Sequence, residues 1–361
     1  MKPKIVAVHL LNDFSGSPMV LSQALIGLQK SGHEVVIHTA GGREGFLSDI
    51  DCKKEYFKYK FFRNPLLRLA AFICSQLVVF TQLLKYRKEN VVIYVNTLLP
   101  FGAALAGKIM GKKVVYHIHE SYIKPVALKN FLKGVAANTA DTAVYVSNYL
   151  CEAEKIKNIK YKVVYNALPD EFVSKADGFN YHIPNASSFT VLMVCSLKEY
   201  KGINEFVALA KRHPKLRFEM VLNATKEDIS NYFSEGNIPS NLTLFPTQKD
   251  LDPFYRRASL LLNLTNPQLC VETFGMTILE AMCYGIPVIA PPVGGPAEIV
   301  DSGKNGFTID VREEANLDFA IEKLYADGNM LSSFSSKAKE TSSRFSTHDL
   351  QGEIVKIISL M

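Results

Sequence analysis

The segment Cys270–Ala290 combines acidic side chains with the start of an apolar helix. Glu280 lies among apolar residues, where a buried carboxylate is costly without a polar partner, so we expect it to bind a polar group. Gly275-Met-Thr277 opens the predicted helix, and its free backbone amides would form an anion site at the positive end of the helix dipole. Glu272 would lie about 80° from Glu280 on one continuous helix, so we assign Glu272 to the preceding loop.

Two carboxylates that flank an anion pocket suit a sugar nucleotide. Carboxylates accept hydrogen bonds from neutral hydroxyls, and sugars supply hydroxyls in pairs. A pyrophosphate at the helix N-terminus with a sugar at each end would therefore fit Glu272 and Glu280. The alternative is that one of these two residues caps a helix and the other is purely structural.

Short apolar runs alternate with helix-length segments along the chain, a pattern typical of parallel strands covered by helices. Residues 1–170 and 189–345 each form one such series, and the polar stretch 171–188 is interpreted as a linker. We expect a helix at about 346–361 to pack back on the first domain. The predicted fold class is α/β, with two Rossmann-like doubly wound parallel-sheet domains that face a central cleft. The predicted strands are Ile5–Leu11, Val35–Thr39, Val91–Val95, Val114–His119, Ala143–Val146, Thr190–Cys195, Arg217–Leu222, Leu242–Phe245, Leu260–Leu264 and Pro287–Ala290.

The motif around Glu272 and Glu280 resembles that of the retaining family-4 glycosyltransferases of the GT-B superfamily (glycosyl transferases group 1). The two glutamates, separated by seven residues, are followed by Ala-Met-x-x-Gly-x-Pro-Val and by the glycine-rich stretch Gly294–Gly306. The match is dense from about Leu260 to Asp310 and fainter elsewhere. The resemblance implies the GT-B fold and transfer of a sugar from a nucleotide-diphosphate sugar to an acceptor hydroxyl with retention, without a metal ion or a further cofactor.

The resemblance also implies roles for residues of the second domain. Glu272 would hold the donor sugar, Glu280 would hold the ribose of the nucleotide, and Lys201 would neutralise the leaving diphosphate. The family commonly has an arginine five residues before that lysine, where this chain has Ser196. Lys198 is the candidate substitute, although a lysine does not reproduce an arginine fork. The amides that would bind the diphosphate belong to Phe274, Gly275, Met276 and Thr277.

In the first domain, a predicted strand ends at the sheet edge where ligands of such folds bind. His117 and His119 lie on the same face of this strand by alternation. This position resembles the active-site histidine of the family, and we favour His119 because it is nearer the strand end. Glu120 is a candidate to orient that histidine or to contact the acceptor.

The loop Phe14–Pro18 stands where the family has a Gly-Gly motif. Gly16 would allow the backbone to approach the sugar and phosphate closely, and Ser17 is predicted to hydrogen-bond there. The predicted catalytic residues are therefore His119, Glu272 and Lys201.

The net charge of +6 is unevenly distributed: residues 1–170 hold 23 Lys and Arg against 12 Asp and Glu. Residues 53–88 contain nine basic residues and one acidic residue around the apolar run Leu66–Leu84. This run is either a helix that lies in an anionic membrane surface or an ordinary buried helix with solvated flanks.

Because the resemblance places the acceptor on this domain, we expect a saccharide or lipid-linked saccharide acceptor. We therefore expect a cytoplasmic enzyme at the inner face of the cell membrane that assembles bacterial surface polysaccharide (O-antigen, capsule or exopolysaccharide).

Other patterns argue against competing functions. Gly102–Ile109 nearly spells a P-loop but lacks the hydroxyl that binds magnesium, and it favours a helix. Asp250-Leu-Asp252, followed by proline, predicts a helix start rather than a metal site. No Gly-x-Gly-x-x-Gly follows a predicted strand, and the basic region carries no signature of nucleic-acid binding. The six scattered cysteines are interpreted as buried thiols, and the first residues do not resemble a secretory signal.

Two alternative functions stay open at the level of sequence. One is an inactive GT-B-like protein that binds a nucleotide sugar, which is suggested by Ser196 at the usual arginine position. The other is a hydrolase or epimerase of the same fold that acts on the nucleotide sugar itself. Rapid product formation from the donor alone would indicate the hydrolase or epimerase, and tight binding without hydrolysis or transfer would indicate the inactive protein.

Overall fold

The computed structural model describes residues 2–62, 64–185, 187–233 and 238–361. The chain forms two compact units, one of Met1–Ala167 with Thr347–Met361 and the other of Leu168–Ser346. Each unit is built on one fully parallel sheet, with seven strands in the first and six in the second. The predicted fold class of two Rossmann-like α/β domains is confirmed.

In the first unit, strands and helices alternate and the sheet has the order β3-β2-β1-β4-β5-β6-β7. Strands β1, β2 and β4 are almost wholly buried because helices cover both faces of a parallel sheet. The elements are β1 (Lys4–Leu11), α1 (Gly16–Lys30), β2 (Val35–Ala40), β3 (Lys53–Phe57), α2 (Pro65–Leu83), β4 (Val91–Asn96), α3 (Phe101–Ile109), β5 (Lys113–Ile118), α4 (Val126–Thr139), β6 (Thr142–Tyr145), α5 (Asn148–Glu154) and β7 (Lys160–Val163).

The second unit repeats this architecture with the sheet order β10-β9-β8-β11-β12-β13. Its core includes Phe206 and Phe218, whose rings meet edge to face at 5.3 Å. The elements are α6 (Asp170–Asp177), β8 (Thr190–Ser196), α7 (Ile203–Arg212), β9 (Arg217–Asn223), α8 (Lys226–Tyr232), β10 (Leu242–Phe245), α9 (Asp252–Arg257), β11 (Leu260–Leu262), α10 (Met276–Cys283), β12 (Val288–Ala290), α11 (Pro296–Ile299), β13 (Gly306–Thr308), α12 (Glu314–Ala326) and α13 (Gly328–Ser342).

The last helix, α14 (Thr347–Ser359), belongs to the first unit and packs against α1. Leu350, Ile354 and Ile358 are buried in the same core cluster as Leu21 and Leu25 of α1. Spacings of four residues place these three side chains on one face of α14, which is why the amphipathic helix docks by that face.

The structure differs from the sequence interpretation at a few elements. Helix α1 begins at Gly16, so Gly16 and Ser17 belong to a helix rather than to a loop. Helix α6 occupies the first part of the stretch interpreted as a linker. Strands β3, β7 and β13 were not predicted, and each lies at the edge of its sheet. An edge strand is partly exposed, so it lacks the continuous apolar run of a central strand.

Candidate active site

The order of strands in the second sheet reverses between β8 and β11, which are hydrogen-bonded neighbours. Ligands of open parallel sheets bind beyond the carboxyl ends of the strands at such a reversal. Lys201 follows the carboxyl end of β8, and Glu272 follows that of β11. The topology therefore brings these two residues together across 71 positions of sequence.

Lys201 and Glu272 form a hydrogen-bonded ion pair, Nζ to Oε2. Their side chains are only 19% and 21% exposed. Burial acts to raise the pKa of Glu272, but the Lys201 ammonium and the hydrogen bonds from Thr265 and Asn263 together outweigh burial, and the net pKa is lowered. Burial acts to lower the pKa of Lys201, and Glu272 reverses that effect so that the net pKa is raised. Each residue therefore keeps the other charged in a partly desolvated position.

Short polar side chains fix the carboxylate of Glu272. Thr265 Oγ1 donates to Asn263 Oδ1 at 2.8 Å and lies 3.4 Å from Glu272 Oε2. Asn263 also hydrogen-bonds Glu272 and helps to lower its pKa. The orientation of this carboxylate is therefore set by β11 and the residues just after it.

Two glycines allow the loops of the site to approach each other. Gly202 has a φ of 80°, and a Cβ there would lie 2.3 Å from the carbonyl oxygen of Leu264. Gly294 has a φ of 78°, and a Cβ there would lie 2.3 Å from the carbonyl oxygen of Glu272. That same oxygen accepts a hydrogen bond from the amide of Gly295 at 2.9 Å. Any larger residue at Gly202 or Gly294 would move the backbone that carries Lys201 or Glu272.

Glu280 lies on α10, and Glu272 in the loop before it, as the sequence predicted. Glu280 Oε2 accepts a hydrogen bond from Tyr255 at 2.5 Å. Burial raises the pKa of Glu280, and the Tyr255 hydroxyl partly opposes that increase. In the part of the chain that the structure describes, Tyr255 is the one side chain that hydrogen-bonds Glu280. The second oxygen of Glu280 is therefore available to a ligand.

Replacing Tyr255 with phenylalanine should weaken nucleotide binding by up to about tenfold, because Glu280 loses the donor that orients its carboxylate and keeps it charged, and such a hydrogen bond contributes about 1.5 kcal/mol. The Tyr255 ring is fully buried and stacks on Tyr284 at 5.4 Å, so Tyr255→Phe keeps the packing and removes only the hydroxyl. Since the hydroxyl lowers the pKa of Glu280, the loss of affinity should be larger at pH 6 than at pH 8. Calorimetric titration with nucleoside diphosphates measures both effects.

Tyr284→Phe is the matched control for that variant. The Tyr284 hydroxyl donates to Asp252 Oδ1 at 2.6 Å rather than to Glu280. Equal losses of nucleotide affinity in the two variants would show that Tyr255 acts through general packing and not through Glu280.

The sequence predicts a phosphate site at the N-terminus of α10. Gly275 caps this helix with a φ of 105°, which a glycine adopts without strain. Helix geometry leaves the amides of Met276 and Thr277 without intrahelical acceptors. Phe274 is 2% exposed, and its ring meets that of Phe345 at 5.7 Å, so its side chain anchors the loop in the core.

Ser196 and Lys198 lie on the turn before Lys201. Ser196 is the last residue of β8, and its carbonyl accepts a hydrogen bond from the Lys198 amide at 2.7 Å. The Lys198 side chain is exposed. Its role as a second cation for the diphosphate stays a prediction.

In the first unit, Asn96 connects the predicted site residues. Asn96 ends β4, beside the reversal of strand order between β1 and β4. Its Nδ2 donates to the Ser17 carbonyl at 3.1 Å, and its Oδ1 lies 2.9 Å from His119 Nε2. Gly16 and Ser17 form the first turn of α1. Ser17, Asn96 and His119 therefore meet at the carboxyl edge of the first sheet.

These contacts fix the protonation of His119. The Ser17 carbonyl only accepts, so the nitrogen of the Asn96 amide faces it and the oxygen faces His119. His119 Nε2 must then carry a hydrogen. Burial, reinforced by His117 and His9, lowers the pKa of His119 well below its ordinary value. His119 is thus a neutral ring that offers Nδ1 as an acceptor to a ligand hydroxyl.

His117 is fully buried, and its Nδ1 lies 2.8 Å from the Tyr94 hydroxyl. Its ring centroid is 4.4 Å from that of His119, so the two rings share one face as predicted. Burial lowers the pKa of His117 to about 3. His117 therefore packs against the ring of His119, which is the less buried of the two, and the preference for His119 stays a prediction.

Glu120 follows His119, and burial raises the pKa of its carboxyl to about 7, although amide donors from His119 and Leu98 oppose that increase. The unfolded chain therefore loses this proton at a lower pH than the folded chain does, so Glu120 reduces stability as the pH rises from about 4.5 to about 7. Glu120→Gln removes this penalty and should raise the free energy of unfolding by about 2 kcal/mol at pH 8 and little at pH 5.

Urea denaturation of the two proteins at both pH values measures this effect. Glu152→Gln, at an exposed position of α5, is the matched control. A gain from Glu120→Gln that is the same at pH 5 and pH 8 would contradict the raised pKa.

Family models match both halves of the chain. Residues 14–172 match the model described as Glycosyltransferase Family 4, and residues 179–341 match the model described as Glycosyl transferases group 1. The chain belongs to the family-4 glycosyltransferases of the GT-B type. The predicted family membership is therefore confirmed.

Solved structures show that the whole chain has the fold of this family. Anabaena HepE in complex with UDP and glucose superposes with a TM-score of 0.78 at 20% identity, over 99% of this chain and 100% of that one. Sucrose-phosphate synthase from Thermosynechococcus elongatus gives a TM-score of 0.77 at 17% identity, over 99% of both chains.

Curated relatives of this family-4 member match only in part. Sucrose-phosphate synthase of Zea mays is 37% identical over 84 residues, which are 23% of this chain and 8% of that protein. D-inositol 3-phosphate glycosyltransferase of Paenarthrobacter aurescens is 26% identical over 204 residues, which are 54% of this chain and 48% of that protein.

The two motifs that resemble a P-loop and an Asp-x-Asp metal site lie within a helix and at the start of a helix, respectively. Gly102–Ile109 lies within α3, as its composition predicted. Asp252 is the first residue of α9, where its carboxylate binds Arg256 at 2.7 Å and Tyr284 at 2.6 Å. Among the described residues, no group of three or more His, Cys, Asp or Glu side chains could hold a metal ion.

Sequence reasoning missed two residues of the site, Asn96 and Tyr255. Asn96 could have been noticed as a polar residue at the end of the apolar run Val91–Val95, at the edge that binds ligands. Tyr255 gave no comparable signal, because a tyrosine in a short amphipathic helix is usually part of the core. Only the fold places its hydroxyl beside Glu280.

Proposed function

We propose that this protein transfers a glycosyl group from a nucleoside-diphosphate sugar to an acceptor hydroxyl with retention of configuration. The observation that carries this proposal is the Lys201–Glu272 ion pair beside the N-terminus of α10, the helix that bears Glu280. Relatives and structural neighbours support it: they include a sucrose-phosphate synthase, a D-inositol 3-phosphate glycosyltransferase and a structure of Anabaena HepE with UDP-glucose.

Each part of the donor has a matching group in the second unit. The diphosphate would bind the first amides of α10 and the Lys201 ammonium, which can donate to Glu272 and to a phosphate oxygen at once. Glu272 would accept hydrogen bonds from hydroxyls of the donor sugar, and Glu280 would accept them from the ribose. Within the first unit alone, His119 Nδ1 would accept a hydrogen bond from a hydroxyl of a substrate.

In the proposed reaction, the bond between the anomeric carbon and the leaving phosphate oxygen breaks. The acceptor oxygen forms its bond to the same carbon from the same face, and the acceptor proton passes to the leaving phosphate oxygen. Charge grows on the diphosphate as it leaves, so Lys201 and the α10 amides stabilise the transition state. Because these groups supply positive charge, we propose that transfer needs no divalent metal or further cofactor.

Binding titrations with a panel of UDP-, GDP- and ADP-sugars test the proposal and identify the base. We expect one donor to bind with micromolar affinity and to release nucleoside diphosphate rapidly only when an acceptor is present, with or without EDTA. Tight binding without turnover for any acceptor would favour the inactive binding protein that Ser196 suggested. Rapid product formation from the donor alone would favour a hydrolase or epimerase.

For the cellular role, we propose the assembly of a bacterial surface polysaccharide on a lipid-linked saccharide at the inner face of the cell membrane. The basic first domain supports this role because anionic lipid attracts Lys and Arg. Extraction of lipid-linked saccharides from a strain that lacks the gene should show an intermediate one sugar shorter than in the parent strain. An unchanged lipid-linked pool would contradict this role.

A further inference from the structure

The outward face of α2 in the first unit is apolar along four turns. Its large exposed side chains, which we call the apolar stripe, are Leu66, Leu67, Leu69, Ile73, Leu77 and Val78. Leu66 is 78% exposed and Leu77 is 62% exposed. The inward face includes the polar Ser75 and Gln76, each 1% exposed. The rest of the inward face is apolar, so α2 is apolar on both faces, whereas an ordinary surface helix is polar on its outward face.

The inward face of α2 is fixed to its own unit. The Gln76 side chain accepts a hydrogen bond from the Gly102 amide at 3.2 Å, and a Cβ on Gly102 would lie 2.1 Å from the Gln76 carbonyl oxygen. Val79 and Leu83 are fully buried. In the described chain, one helical segment, 65–88, is long and apolar enough by length and composition to cross a membrane. A crossing helix would place Ser75 and Gln76 in lipid, so the contacts favour a helix that lies on a membrane.

Basic side chains surround the apolar stripe. Arg68 lies on α2 itself, with its guanidinium 5.2 Å from the ring of the exposed Phe61. Lys58 and Lys60 precede the helix, and Arg87 and Lys88 follow it, all with exposed side chains. The one acidic residue of this region, Glu55, is already paired with Lys53 and Lys85. The surroundings of the stripe are therefore positively charged.

The chemistry of the stripe favours lipid over protein. Protein interfaces contain about one hydrogen bond per 100–200 Å², and the stripe has no polar side chain to form one. Thr81, which continues the stripe, donates its hydroxyl to the carbonyl of Val78 at 2.9 Å within its own helix. Aliphatic side chains bordered by cations match the acyl chains and phosphates of an anionic bilayer.

We propose that the apolar stripe of α2 inserts into the surface of a bilayer that contains anionic phospholipid, while the flanking lysines and arginines bind lipid phosphates. This inference deepens the proposed function, since it places the enzyme where a lipid-linked acceptor lies, and it rests on that function only for the identity of the acceptor. Binding to vesicles requires neither donor nor acceptor, so the two proposals fail independently.

Flotation with vesicles tests the proposal. We expect the protein to float with vesicles of phosphatidylcholine and phosphatidylglycerol in equal parts at low salt, and at least tenfold less with phosphatidylcholine alone. The double variant Ile73→Asn/Leu77→Asn should bind the mixed vesicles at least tenfold less. Both positions are exposed, so the fold should be unaffected. Phe319→Asn, at a 65% exposed position of α12 in the second unit, should bind like the wild type.

A fluorescent label measures insertion directly. Cys74 is exposed on the same face as the stripe, and the other five cysteines are buried or partly buried. An environment-sensitive fluorophore on Cys74 should shift to shorter wavelength with mixed vesicles and not with phosphatidylcholine alone. An unchanged spectrum with bound vesicles would overturn insertion.

Several further results would overturn the proposal that the apolar stripe inserts into a bilayer, or would point to a different partner. Wild type that stays unbound to mixed vesicles at low salt, or a double variant that floats equally well, would overturn the proposal.

A wild-type dimer in light scattering that the double variant converts to a monomer would assign the stripe to a second copy of this chain. Titration of the double variant with nucleoside diphosphate should give wild-type affinity. Vesicle binding by a wild type that binds no nucleotide sugar would contradict only the proposed function.

Discussion

Replacing Lys201 with alanine should lower kcat/KM for the donor about a thousandfold, because one preorganised group that stabilises transition-state charge contributes about 3–4 kcal/mol. Two losses combine in this variant. The leaving diphosphate loses a cation, and the Glu272 carboxylate loses the ammonium that lowers its pKa. Release of nucleoside diphosphate in the presence of acceptor measures the effect.

A double variant tests whether the loss of activity in this prediction is only a loss of stability. Lys201→Met alone leaves an unpaired, partly buried carboxylate, which should lower thermal stability. Adding Glu272→Gln removes that charge, so Lys201→Met/Glu272→Gln should regain stability while activity stays lost. Lys226→Ala, an exposed lysine on α8, is the control and should keep full activity. Activity that returned together with stability would show that Lys201 has only a structural role.

Glu280→Ala should weaken binding of the nucleotide about a hundredfold, since hydrogen bonds from ribose hydroxyls to a carboxylate contribute about 1.5–3 kcal/mol each. The nucleotide itself supplies the sharpest control. A 2′-deoxyribonucleoside diphosphate should bind the wild type much more weakly than the ribonucleotide does, whereas Glu280→Ala should bind both equally. A variant that still prefers the ribonucleotide would contradict the placement of the ribose at Glu280.

The variant also leaves Tyr255 with a buried, unpaired hydroxyl, because Glu280 is the group to which it donates. Unfolding measurements should therefore show that Glu280→Ala is less stable than wild type and that Tyr255→Phe/Glu280→Ala recovers part of the difference. Nucleotide affinity should not recover in the double variant. This contrast distinguishes two roles of Glu280: binding the ribose and stabilising α10 through its hydrogen bond with Tyr255.

The sequence predicted those features of the site that depend on residues close together in the chain. Glu272, Gly275 and Glu280 lie within nine positions, so loop, helix start and helix wall follow from spacing alone. Partnerships made by topology could not be predicted: Tyr255 reaches Glu280 across 25 positions, and Asn96 reaches the Ser17 carbonyl across 79. Such contacts depend on which strands are neighbours in the sheet.

The sequence of α2 likewise did not show which of its side chains are exposed. Its composition fitted both a buried helix and a membrane-surface helix. Packing against α3 shows that the side of Ser75 and Gln76 faces inward, so the apolar stripe of α2 is exposed rather than buried. Hydropathy averages do not reveal that α2 buries Ser75 and Gln76 while it exposes leucines such as Leu66 and Leu77.

The most direct test of the central claim is a crystal structure with the donor identified by the binding panel. We expect the ribose hydroxyls within hydrogen-bonding distance of Glu280, the diphosphate at the α10 amides and Lys201, and the sugar hydroxyls at Glu272. A donor bound elsewhere, with these groups of the second unit unoccupied, would contradict the account.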